Sequence, residues 1–106
     1  LDSKVNAEAR GIQLYNGDTE LAKRHNIVGD IRGGHGLMLG IELVSDQNKK
    51  TPLDNDHMKK IHQKTYECGA MVRLGLNNIL MSPPLTISES EINQILEALD
   101  EGLTAF

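Results

Sequence analysis

The chain has 106 residues, the size of a single domain, in which folding buries roughly two-thirds of the chain's surface. Fifteen acidic against eleven basic side chains give a net charge of -4, and the basic residues are scattered, which argues against nucleic acid as a partner. Tyr15, Tyr66 and Phe106 are the only aromatics, so the core must be aliphatic, and the single cysteine, Cys68, excludes an internal disulfide. With no secretory pattern and no apolar run near about 18 residues, the expected setting is aqueous, reducing and cytoplasmic, away from the membrane.

From Ser3 to about Arg24 the periodicity predicts a helix, with Val5, Ala9 and Ile12 on one face and Leu14 and Leu21 continuing beside it. Asn16-Gly17-Asp18 favours a turn, yet one glycine in a helix costs only about 1 kcal/mol against alanine, so an interrupted and a continuous helix are both open. Ile27 to Arg32 and Leu37 to Val44 read as two strands joined by Gly33-Gly34-His35-Gly36. The second is apolar almost throughout, as a central strand covered on both faces would be, and Glu42 inside it needs a partner.

Ser45 to Asp56 is polar and reads as a surface connection leading into a helix capped at Asp54 or Asp56. Met58, Ile61, Thr65 and Cys68 fall on one stripe of that helix, and Gly69 is placed to stop it. Short strands at Ala70 to Leu74 and Ile79 to Met81 then flank Gly75-Leu76-Asn77-Asn78 as a second hairpin. Ser88-Glu89-Ser90-Glu91 is a capping box, Ile87 can staple onto Ile92, and Ile92, Ile95, Leu96, Leu99 and Leu103 form an apolar helical face. The expectation is one α/β (α+β) domain over residues 1–106, in the order α-β-β-α-β-β-α, a three-layer-like arrangement with a sheet of about four strands.

Few residues offer chemistry. Gly33-Gly34-His35-Gly36 precedes a strand, whereas phosphate loops lead from a strand into a helix, so it reads as a hairpin turn. His25, His35, His57 and His62 show no ligand spacing, and no metal site is expected. Lys23, Lys49, Lys50, Lys59, Lys60 and Lys64 lie in loops or on polar helix faces, where no neutral Schiff-base amine can be kept. Cys68, on the apolar stripe, reads as core. Arg73 stands apart, because it sits between Val72 and Leu74 just before a glycine-containing loop. There it is either an exposed edge-strand arginine or a planar fork for a substrate carboxylate.

Val28-Gly29-Asp30-Ile31-Arg32-Gly33 with Gly36 to Leu43, followed by Ser82-Pro83-Pro84-Leu85-Thr86-Ile87 and Glu91-Ile92, resembles the C-terminal small domain of class III aminotransferases, the pyridoxal-phosphate enzymes of fold type I. The resemblance spans nearly the whole chain. It implies that the Schiff-base lysine, the partner of the pyridine nitrogen and most phosphate contacts lie in a large domain outside these residues, so that this chain holds no catalytic and no cofactor-binding residue and is inactive alone. It further implies a homodimer with sites at the subunit interface, and amine and keto-acid substrates. In relatives of the ω-amine:pyruvate type, an arginine a few residues before Pro-Pro-Leu binds the substrate carboxylate and withdraws to admit an amine, and Arg73 occupies the matching place. Ornithine-, acetylornithine- and aminobutyrate-type relatives instead carry arginine three residues before the first proline, a position that is Leu80 here.

Two departures stand out. One extra residue lies in Gly33-Gly34-His35-Gly36, expected to lengthen the hairpin turn, and Asp18 replaces a commonly apolar helix position. The rival reading is a stand-alone ferredoxin-like regulatory module that binds a small acid. A domain belonging to a larger protein should expose an apolar patch where its neighbour packs, and a self-contained module should not.

Overall fold

In the computed structural model, which describes residues 3–35, 38–70, 72–84 and 86–104, the first helix runs unbroken through Asn16-Gly17-Asp18. This is α1 (Ser3–Arg24), and Gly17 is there for packing: a Cβ at that position would stand 2.3 Å from Leu96 of the last helix. The face that α1 buries is Ala7, Gly11, Leu14, Asp18 and Leu21, spaced for one helical stripe. Val5 and Ile12, on the neighbouring apolar face read from the sequence, are 57% and 60% exposed. The stripe through Leu14 and Leu21 prevails because it alone places the helix against the first hairpin and the last helix; Val5 and Ile12 face away.

Among the described residues α1 is followed by β1 (Val28–His35), β2 (Met38–Asp46), β3 (Thr51–Pro52), α2 (Asn55–Glu67), β4 (Arg73–Leu74), β5 (Asn78–Met81) and α3 (Glu89–Thr104). The sheet is antiparallel in the order β1-β2-β5-β4, and β3 pairs with β2, so the expected four strands become five. The fifth arises in the polar connection, where Asp46 Oδ1 accepts from the amides of Asn48 and Lys49 and turns the chain back onto β2. Two adjacent hairpins also differ from the β-α-β-β-α-β plan of ferredoxin-like domains.

β2 is central in strand order yet covered on one face by the described residues. Leu39, Ile41 and Leu43, with Ile79 and Met81 of β5, enter a single apolar cluster with residues of all three helices. Gly40, Glu42, Asn78 and Leu80 point the other way, and none of them is buried. The arrangement is therefore two-layered, helices on one face, and the three-layer expectation is corrected. Glu42 finds its partner on the open face, 3.1 Å from the Arg32 guanidinium.

The hairpin reading of the glycine-rich segment holds for the described backbone, with His35 paired to Met38; Gly36 and Leu37 lie outside the described residues. β1 carries an irregularity between Arg32 and His35, where Gly33 takes φ 143°, a conformation that glycine adopts freely. The strand predicted from Ala70 shortens to Arg73–Leu74, and Met71, like Leu85 of the Pro-Pro-Leu segment, lies outside the described residues.

The helix ends follow their sequence signals. Asp54 caps α2, its Oδ2 accepting from the His57 amide at 3.2 Å. At the other end the Gly69 amide reaches Tyr66 O and the Ala70 amide reaches Thr65 O, with Gly69 at φ 105°, a Schellman stop. Cys68 is corrected by the same geometry: it is the C-cap, it leaves the helix before completing the stripe of Met58, Ile61 and Thr65, and it is exposed. In α3 the Ser88 amide donates to Glu91 Oε1 and the Glu91 amide to Ser88 Oγ, both at 3.1 Å, and Ile87 and Ile92 are buried beside them. Replacing Ser88 by alanine is expected to lower stability by about 1 kcal/mol, read from the shift of the urea midpoint at unchanged slope.

Candidate functional site

The sheet register decides what stands beside Arg73. Arg32 pairs with Gly40, Gly40 with Leu80, and Leu80 with Arg73, so the four form one row across β1, β2, β5 and β4. Directly opposed residues of antiparallel strands project to the same face, so this row lies on the sheet surface that the helices leave open. Arg73 and Arg32 are three strand spacings apart, about 14 Å. Between them the floor is a glycine and a leucine.

The two arginines differ in their company. The Arg32 guanidinium is 3.3 Å from Asp30 Oδ2 and 3.1 Å from Glu42 Oε2, so its fork is already taken by carboxylates of its own sheet. Arg73, at the start of the edge strand β4, is exposed and forms no side-chain hydrogen bond or ion pair with any described residue. Its placement satisfies the edge-strand reading, and it leaves the guanidinium available to a ligand.

Two grooves meet at this arginine. One, of about 330 Å³, lies over the row and takes in Arg32, Gly40, Asn78 and Leu80; the other, of about 480 Å³, runs toward α3 past Pro83, Ile87 and Glu91. Arg73, Leu80, Met81 and Ser82 line both. Arg73 stands out in the sequence and Leu80 only for the arginine absent there; the row is not legible, because cross-strand register is not written in either strand alone.

No other described group builds a second site. The Asp18 carboxyl is wholly buried in α1 with neither oxygen hydrogen-bonded, and burial pushes its pKa up to about 8. The hydrogen bond from the His57 side chain, with that from its amide, holds the Asp54 carboxyl below its ordinary value, as a helix cap does. His62 bonds Val72 O at 2.7 Å and His25 bonds Asp100 at 2.7 Å, which are structural roles. Among the described residues no group of three histidine, cysteine or carboxylate side chains could hold a metal ion, and no helix is long and apolar enough to cross a membrane.

A profile of the aminotransferase class-III family matches residues 2–103. The chain belongs to the class III aminotransferases. It is 42% identical over 81 residues to the adenosylmethionine-8-amino-7-oxononanoate aminotransferase of Staphylococcus aureus, covering 76% of this chain and 18% of that relative. It is 36% identical over 108 residues to the taurine–pyruvate aminotransferase of Rhodobacter capsulatus, covering 92% of this chain and 23% of that one. Among solved structures it superposes on an amine transaminase from an uncultivated Pseudomonas species, in a form with bound pyridoxal phosphate, with TM-score 0.91 and 34% identity over 97% of this chain and 23% of the other. The chain thus spans about a fifth of the length of the relatives it matches.

Class III aminotransferases work with pyridoxal phosphate. Lys23, Lys49, Lys50, Lys59, Lys60 and Lys64 are all exposed, so none has the desolvated amine that a cofactor lysine requires. Asp18, the one wholly buried carboxyl among the described residues, lines none of the grooves. What the class III chain does offer is an open sheet face with an arginine and an apolar floor.

Proposed function

We propose that these residues are the C-terminal small domain of a pyridoxal-phosphate-dependent ω-amine aminotransferase, and that the full-length protein moves an amino group between an amine or ω-amino acid and an α-keto acid such as pyruvate. The observation that carries this reading is the Arg73 guanidinium, unpaired among the described residues, on the open sheet face of a class III domain. A planar fork binds a carboxylate through two parallel N–H···O bonds, and a long flexible side chain at a strand edge can turn outward when the other substrate is a hydrocarbon amine that carries no carboxylate. Leu80, where other branches carry arginine, leaves Arg73 as the carboxylate ligand of this face.

The cofactor, held by a large domain of the same polypeptide, supplies the electron sink for the chemistry; these residues orient and select. The exposed apolar side chains Val5 and Ile12 on α1, Leu74 in β4 and Leu76 just after it support a partner packed on this domain. The rival of a self-contained small-acid-binding module lacks a comparable support. In this reading the protein is a cytoplasmic homodimer and the isolated small domain is inactive.

Arg73→Ala in the full-length enzyme is expected to raise the KM for pyruvate at least about tenfold, while the KM for an amine donor without a carboxylate changes less than about twofold. Steady-state kinetics in which each substrate is varied separately measure this. An equal loss for both substrates would remove the carboxylate role.

A further inference from the structure

The row that holds Arg73 carries more than an anion site. Leu80 belongs to β5, an interior strand, and yet is 38% exposed, because it lies on the face the helices do not cover. Its side chain leans over Gly40: a Cβ built on Gly40 would stand 3.3 Å from Leu80 Cδ2, tighter than ordinary van der Waals contact. Gly40 therefore leaves the space in which Leu80 lies low on the sheet. On its other side Leu80 is opposed directly by Arg73, with Cβ atoms about 5 Å apart by the geometry of such pairs. The groove of about 330 Å³ lies above these residues, with Arg73 on one side and Arg32, neutralised by Asp30 and Glu42, on the other.

We propose that Leu80, seated over Gly40 and paired across the strand with Arg73, is the specificity-determining residue that sets how large an apolar group the substrate site accepts. The inference rests on the reading of Arg73 as the substrate-side arginine, and it deepens that reading. When a carboxylate is bound, the aliphatic stem of Arg73 packs along Leu80. When Arg73 turns outward for an amine that carries no carboxylate, the surface it uncovers is the isobutyl group of Leu80, and the depth of the site is fixed by how low that group lies. Gly40 sets that depth from beneath. The chemistry selected is hydrocarbon on the amine donor, graded by size, with no charge of its own.

The test is a competition between two donors in the full-length enzyme, methylbenzylamine against isopropylamine, each with pyruvate as acceptor. Leu80→Ala should raise the ratio of their kcat/KM values about tenfold in favour of the larger amine, the discrimination expected for one to a few carbon atoms in an apolar pocket. Gly40→Ala should move the ratio the other way, because the added methyl lifts Leu80 by a few tenths of an ångström into the groove. A ratio within twofold of the parent in both variants overturns the proposal. So does a fall in thermal midpoint at constant ratio, which would mean that Leu80 packs against the rest of the polypeptide. Arg73→Ala separates the two claims: an unchanged pyruvate KM in that variant defeats the arginine reading, while the donor ratio in Leu80→Ala is read on the amine alone and stands or falls by itself.

Discussion

Gly102→Ala should destabilise the domain by about 3 kcal/mol, although the same change in an exposed helix stabilises by about 1 kcal/mol. The reason is the crossing of α2 and α3. A Cβ at Gly102 would stand 1.9 Å from Thr65 Oγ1, 3.0 Å from Ile61 O and 3.1 Å from Thr65 Cβ, and two of those three atoms cannot rotate away. Thr65 is wholly buried, and its hydroxyl donates to Ile61 O at 2.8 Å, so relief by a rotamer change would also break that bond. The helices must separate instead, loosening Met58, Ile61, Leu99 and Leu103. Such a loss is a large part of the roughly 5–15 kcal/mol that holds a typical domain together, more than half the margin of a weak one. Urea unfolding of parent, Gly102→Ala and Gly102→Ala/Thr65→Ala measures it. The double variant, which lacks the Thr65 hydroxyl, should recover about half of the loss, as expected for residues in direct contact. A single variant as stable as the parent would refute the close crossing.

The second large effect concerns Asp18. Its folded-state pKa is raised by burial to about 8 from an ordinary 3.8, so between those values the folded chain holds a proton that the unfolded chain has released. Stability contributed by this group is fully present below about pH 4, falls steadily as pH rises, and is lost by about pH 8, with a total change on the order of 5 kcal/mol. Asp18→Asn removes the titration and keeps the volume. It should therefore be the more stable form above neutrality, with a flat profile from pH 5 to 9 where the parent declines. Thermal unfolding of both across that range checks this, and parallel profiles would show that Asp18 does not carry the dependence. Asp18→Leu should stabilise further, by about 2 kcal/mol at pH 6, because it replaces two unbonded buried oxygens by hydrocarbon.

Much of the fold is legible in the sequence where local signals agree with tertiary need. In α3 the capping box, the staple and the apolar stripe all point one way, and α2 reads correctly from Asp54 to Gly69. The failures lie where two signals compete. The apolar residues of α1 occupy two faces, and the buried one carries Asp18, so counting hydrophobic side chains selects the exposed Val5 and Ile12. A stripe extrapolated past the last helical turn puts Cys68 in the core when the backbone has already left the helix. For the site, Arg73 is visible as a charge inside an apolar strand, but its neighbours Leu80, Gly40 and Arg32 come from three other strands and depend on register. That register includes an irregularity between Arg32 and His35 that neither strand announces by itself.

The central claim is that these residues work as part of a larger class III enzyme with bound pyridoxal phosphate, and the intact mass of the native gene product, measured together with its visible absorbance, tests it most directly. The expected result is a polypeptide roughly four to six times the 11.7 kDa of these residues, in keeping with the 18–24% of their relatives that they cover, and a cofactor that co-purifies with it. A native product of 11.7 kDa without a chromophore would contradict it.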